Sequence, residues 1–395
     1  MKVIDLKVVF FNLRWSLKRM WALLRNEIEF MLKDKQSLLI VFLLPIGILI
    51  PFWAPPSDGS AADEGDGGLL SLNDAVQMVG VLDLDTTTSA NFSGNLSESF
   101  IESMVNTSII MENEIDVYPL TSLSHGNDLL RNSIIIGYVV IDDLFEENLT
   151  ERKLTHVTIV SDATDVETAA SLTALLETTI IVFKLQYGFM NDEIFPIPES
   201  RFAAESPIFE FGPLIFSIMI FGSALLLSTQ CIVGDEPLKR TLLTPAAKME
   251  IIIAKTMAYS AIHAVQIQLL LLVAMFVFRL PVYCPFHVAF TVLFLVAFSG
   301  VMIGMFVSVL SKTRLQANQM FLLIFIVTLL SLIFISDPAI LDWLPMYQGI
   351  SGFNSAAYKG FDYADKPWPF LSLSIISVIF FVLVIVSFYF KKTLE

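Results

Sequence analysis

The chain has 395 residues, 55% of them apolar, and a mean hydropathy of +0.70, a composition that excludes an ordinary soluble enzyme and calls for a bilayer. Its 39 acidic against 24 basic residues leave a net charge of −15, which excludes nucleic acid as a partner, because phosphate binding needs a basic surface. The acid is concentrated: residues 55–206 hold 26 Asp and Glu against Arg131, Arg152, Lys153, Lys184 and Arg201, a net −21, so the remainder carries +6.

Residues 1–36 carry Leu17, Trp21, Leu24, Ile28 and Met31 at alternating steps of four and three, with Arg25, Asn26 and Glu29 opposite. That stripe predicts an amphipathic helix lying in the cytoplasmic interface, or equally one packed on the bundle. Some 36 residues ahead of the first apolar run are too many for a cleaved signal peptide, so the run at 37–54 is expected to be an anchor and the first transmembrane helix. Pro45 and Pro51 predict a kink near its outer end. Residues 55–72, rich in acid, Gly and Pro, predict a flexible linker.

Residues 73–206 alternate between short β-branched runs at 76–82, 134–141 and 156–160 and helical patterns at 89–105, 123–132 and 166–185. The last pattern places Ala169, Leu172, Leu176, Ile180 and Phe183 on one face. Alternation of this kind predicts a small extracellular α/β domain. Four Asn-x-Ser/Thr tripeptides, at Asn91, Asn95, Asn106 and Asn148, are candidate glycosylation sites, although a Ser- and Asn-rich surface produces such tripeptides by chance.

Five further apolar runs follow within 207–395, at 209–232, 251–278, 287–310, 318–335 and 369–390. Each is long enough to cross a core of about 30 Å. The expected fold is thus a membrane bundle of six transmembrane helices, all α, with the α/β domain inserted between the first and second. Lysine and arginine favour the cytoplasmic side. Alternating sides gathers Arg25, Lys33 and Lys35, then Lys239, Arg240 and Lys248, then Lys312 and Arg314, then Lys391 and Lys392 on one face. That predicts a multi-pass plasma membrane protein with both termini cytoplasmic. Cys231 and Cys284 then fall near opposite faces and are expected to be free thiols.

No phosphate loop of the form G-x-x-x-x-G-K-[ST] occurs, nor H-E-x-x-H or G-x-S-x-G, and the four histidines are scattered. The chain is therefore expected not to be an enzyme, to hold no metal and to carry no cofactor. His263 and Gln266, one turn apart in the third span, read as a possible pathway or equally as hydrogen-bond glue between helices.

The loop at 233–250 is short, charged and closed by Pro245 before a helix resumes, a form suited to transmitting force. Its sequence resembles the cytoplasmic coupling loop of type 2 permeases of ATP-binding-cassette transporters. The residues that carry the likeness are Asp235, Glu236, Thr241, Leu242, Leu243, Thr244, Pro245 and Lys255, in that order. Residues 25–45 and 300–319 are similar to the family's lead-in segment and its fourth-to-fifth helix turn, and the α/β domain looks like the extracellular part of its long-loop branch. Many members have Gly-Thr-Leu-Glu where Arg240-Thr241-Leu242-Leu243 stands here, and residues 337–366 exceed the usual outer element.

The resemblance implies an exporter subunit whose contacts with an ATPase subunit run through Asp235, Glu236, Lys239, Arg240, Thr241, Pro245 and Lys255. ATP and Mg would be bound by that partner, and the permease would work as a homodimer or as a heterodimer with a second permease. A membrane-anchored sensor or assembly protein with an outside ligand-binding domain is the alternative from another class. An ion-driven transporter would be expected to show internal repeats and buried acids in its spans, and none stands out.

Overall fold

The structure, a computed structural model, describes residues 6–33, 35–49, 77–86, 95–111, 115–164, 166–189, 194–201, 208–209, 211–233, 247–335 and 337–390. The chain divides into two compact units, 62–205 and the combination of 1–61 with 206–395.

The first unit is a five-stranded sheet in the order β2-β1-β3-β4-β5, with β1 over Gln77–Asp83, β2 over Ile115–Pro119, β3 over Gly137–Ile141, β4 over Thr155–Asp162 and β5 over Ile194–Arg201. β1 is parallel to both β2 and β3, β4 is antiparallel to β3, and β5 is parallel to β4. Alternate residues divide between the faces. Val79, Val81, Val139, Ile141, Val157 and Ile159 face a core with Phe100, Met104, Leu172, Leu176, Ile180 and Phe183, supplied by helices α3 (Leu96–Ile110) and α6 (Val166–Tyr187). Leu82, Tyr138, Val140 and Val160 face a smaller core with Leu130 of α4 (Leu123–Arg131). A short α5 (Phe145–Thr150) completes the first core with Phe145 and Leu149. Because central strands are covered on both sides, β3 reads as an unbroken apolar run rather than an alternating one.

Two strands were not legible in the sequence, and both are edges. β5 contains Pro196 and Pro198, which a central strand could not accept but an edge tolerates. β2 is only five residues long.

The second unit contains α1 (Leu6–Lys33), α2 (Lys35–Leu49), α7 (Gly212–Thr229), α8 (Lys248–Phe276), α9 (Phe286–Leu310), α10 (Arg314–Phe334) and α13 (Trp368–Phe390), with short α11 (Pro338–Leu341), α12 (Pro345–Phe353) and a π-helical turn at Asn354–Tyr358. The stripe expected on α1 divides. Leu24 and Met31 are buried, whereas Trp21 is exposed.

The structure corrects the expected six-span fold with a domain inserted between a first and a second span. Among the described residues six consecutive helices are long and apolar enough to cross a membrane: Thr168–Tyr187 within α6, then α7, α8, α9, α10 and α13. An N-terminal α/β region therefore leads into this series. The anchor expected at 37–54 is described over Lys35–Leu49 as the helix α2, and its remaining residues lie outside the described ones. The linker expected at 55–72 lies outside the described residues.

Candidate functional site

The candidate site is the base of the loop between α7 and α8. Residues 234–246 lie outside the described residues, and with them Asp235, Glu236, Lys239, Arg240, Thr241 and Pro245. Both ends of the loop are described, and each is held by a different neighbour.

The first end follows α7. Gly300 and Gly304 of α9 stand one turn apart, and a Cβ on Gly300 would lie 3.0 Å from the Phe221 carbonyl oxygen. One on Gly304 would overlap Ser228 Oγ and sit 2.7 Å from the Leu225 carbonyl oxygen. The two glycines thus let the backbones of α7 and α9 meet, the packing that small residues at a spacing of four permit in membrane helices. Ser308 is the next residue at that spacing. Its hydroxyl oxygen accepts from the backbone N–H of Ile232 at 3.0 Å and of Val233 at 3.2 Å.

The second end begins α8. Glu250 Oε2 accepts the Ala247 N–H at 3.1 Å, and Glu250 Oε1 pairs with Arg19 of α1 at 3.1 Å. One turn further, Lys255 is 3% exposed and its Nζ donates to Glu27 Oε1 at 2.6 Å. Lys248 Nζ donates to the Tyr389 carbonyl at 3.3 Å, joining the start of α8 to the end of α13. The structure thus places Lys255, named from sequence as an ATPase contact, in a buried ion pair with α1.

His263 and Gln266 are brought together deeper in α8. Gln266 Nε2 donates to the Val41 carbonyl at 2.9 Å and to Ser223 Oγ at 3.1 Å. A carbonyl can only accept, so the amide orientation is fixed and Oε1 turns to His263 Nδ1, 2.6 Å away, which must carry its proton. His263 Nε2 is then a bare lone pair, buried and without a hydrogen-bond partner among the described residues. The cluster ties α2, α7 and α8 at one level.

Of the candidate glycosylation sites, Asn95 caps α3 by accepting the Ser97 N–H at 3.0 Å, Asn106 is exposed on α3 and Asn148 is half-buried on α5. Asn91 lies outside the described residues. Cys231 and Cys284 are buried and are not joined in a disulfide. Among the described residues no group of three or more His, Cys, Asp or Glu could hold a metal ion.

Sequence reasoning did not single out Ser308, Glu27, Arg19 or Glu250. The spacing of Gly300, Gly304 and Ser308 was a readable signal for the first; nothing local marked the others. A family model described as ABC-2 family transporter protein matches residues 35–389. No curated protein matches the chain.

Proposed function

The chain belongs to the ABC-2 family of transporter proteins, and from that premise we propose that it is the permease subunit of an ATP-driven exporter. It is a multi-pass membrane protein with a transporter role, and it is not itself an enzyme. In the proposed mechanism the chain pairs with a second permease and with separate ATPase chains, which bind ATP and Mg. Closure of the ATPases pushes on residues 234–246, and α7 and α8 carry that displacement into the bilayer. Asp235, Glu236, Lys239, Arg240, Thr241 and Pro245 are the proposed contacts.

The observation that supports this reading most is that both ends of the loop are tied to neighbouring helices at one end of the bundle. If α7, α8, α9, α10 and α13 each cross, the loop, residues 311–313 and the chain end share one face. Lys239, Arg240, Lys248, Lys312, Arg314, Lys391 and Lys392 gather there, as a cytoplasmic face requires. The ion pairs of α1 with the start of α8 put the N-terminal helix on that same face, so both termini are proposed to be cytoplasmic, in the plasma membrane.

The test uses a Lys239→Cys variant in intact and permeabilised cells, read with a membrane-impermeant thiol reagent. Cys231 is 2% exposed and adds little background. Labelling only after permeabilisation, with loss of ATPase co-purification in Glu236→Gln and Pro245→Ala variants, is the expected result. Labelling of intact cells ends the reading.

A further inference from the structure

We infer that Ser308 is a positioning residue for the loop at 234–246, fixing from α9 the point at which the chain leaves α7. The anchor itself stands on geometry alone; what it does rests on the coupling reading above.

α7 ends at Thr229, and Cys231 and Ile232 beyond it are 2% and 7% exposed. Backbone N–H groups buried past a helix end need an acceptor. Most serines in membrane helices turn their hydroxyl back on their own chain; here Ser299, Ser311 and Ser377 donate to the carbonyl three or four residues earlier. Ser308 instead presents its oxygen to two successive N–H groups of another helix's exit. It reaches them because Gly300 and Gly304 on the same face bring the two backbones together just before it.

The loop therefore has a foot on each of two helix pairs. Its first foot belongs to α7 and α9 through Ser308. Its second belongs to α8 and α1 through Glu250 and Arg19. A displacement of the loop would act on both pairs at once, rather than tilt α7 and α8 as independent rods.

The test compares the full chain with Ser308→Ala and Ser308→Thr variants by amide hydrogen exchange in detergent. Exchange at 232 and 233 should rise about tenfold or more in S308A and return in S308T, with the amides of α1 and α8 unchanged. Should S308A not fold, S308C supplies a weaker acceptor of similar size and the same readout. Unchanged exchange at 232 and 233, or an increase spread equally over α1 and α8, overturns the anchor. A second arm co-expresses each form with an ATP-binding-cassette ATPase subunit. S308A should recruit it, lower the maximal ATP hydrolysis rate about threefold or more at constant KM for ATP, and recover in S308T; an unchanged maximal rate overturns the positioning role. Failure of the unaltered chain to recruit the ATPase overturns the coupling reading instead, and exchange still decides the anchor.

Discussion

Gln266 Nε2 donates to the carbonyl of Val41 at 2.9 Å, across 225 residues of chain, and Val41 stands four residues before Pro45. In an α-helix that carbonyl is reserved for the N–H four residues on, which proline does not have. Among apolar helices no water compensates, so a free carbonyl is costly there. Gln266 supplies the missing donor from another helix. A proline in α2 and a glutamine in α8, unrelated in sequence, are thus two halves of one hydrogen-bonding requirement.

Replacing Gln266 by Leu should lower stability by about 1–3 kcal/mol, since it strands a buried carbonyl. Adding Pro45→Ala should recover much of that loss, because alanine restores the helix's own N–H to Val41. Thermal unfolding of the two single variants and the double variant in detergent measures the coupling. Simple additivity would show that the two residues do not answer each other.

Gly304→Ala should destabilise the contact of α7 with α9, because the added Cβ would meet the Leu225 backbone oxygen at 2.7 Å and neither helix can yield alone. A loss of about 1–3 kcal/mol is expected for such overpacking. Among the described residues Gly47 of α2 has nothing within 4 Å of its would-be Cβ. Gly47→Ala should therefore be neutral or stabilise by up to about 1 kcal/mol through helix propensity. Denaturation midpoints that fall equally for both would refute the close approach.

The pair of Lys255 with Glu27 has side chains only 4% and 13% exposed. Removing one partner leaves a charge in a poorly solvated site, so Lys255→Met alone should cost about 3 kcal/mol or more. Combining it with Glu27→Leu should restore most of the stability, as the α1 contact becomes apolar throughout. Tryptic release of α1 offers a direct assay, and cleavage as slow in Lys255→Met as in the unaltered chain would contradict the pairing.

Lys366, in the segment before α13, donates to Ser355 Oγ at 2.9 Å. Burial, then the nearby charge of Lys359, lowers its pKa, with Asp342 opposing in part. The folded chain thus releases this proton at lower pH than the unfolded chain. In the window between the two values the unfolded state binds more protons, so this group's contribution to stability improves as pH rises. Amine-reactive labelling against pH should show Lys366 titrating below the ordinary lysine value, while Lys366→Gln should flatten that part of the stability profile. A midpoint at the ordinary value would remove the argument.

The long helices α7, α8, α9, α10 and α13 were legible because twenty apolar residues are a local property, visible in any window of the chain. So were β1, β3 and β4, whose β-branched runs are buried on both faces. The edge strands β2 and β5 were not, since an edge tolerates prolines and short length. α6 shows where the expected set of spans departs from the six long apolar helices of the structure. Leu172, Leu176, Ile180 and Phe183 cover the sheet, yet Ile181 and Leu185 on the other side are 59% and 69% exposed. Hydropathy responds to the sum and cannot separate a helix that covers a sheet from one that crosses a bilayer. Of the candidate site, the groups that hold the ends of the loop were not legible, because nothing local marks Arg19, Glu27 or Glu250 as their partners.

By itself the sequence determined that this chain lives in a membrane, where most of its helices run, and that it lacks the residues to bind a nucleotide by a phosphate loop. Each of these follows from short-range pattern, because hydropathy and motif spacing are read within a few turns. Only the tertiary structure decided that Lys255 faces Glu27, that Gln266 completes α2 and that Ser308 receives the end of α7. Those pairings depend on how helices far apart in the chain cross, and a crossing is set by the shapes of both surfaces together, which neither segment carries alone.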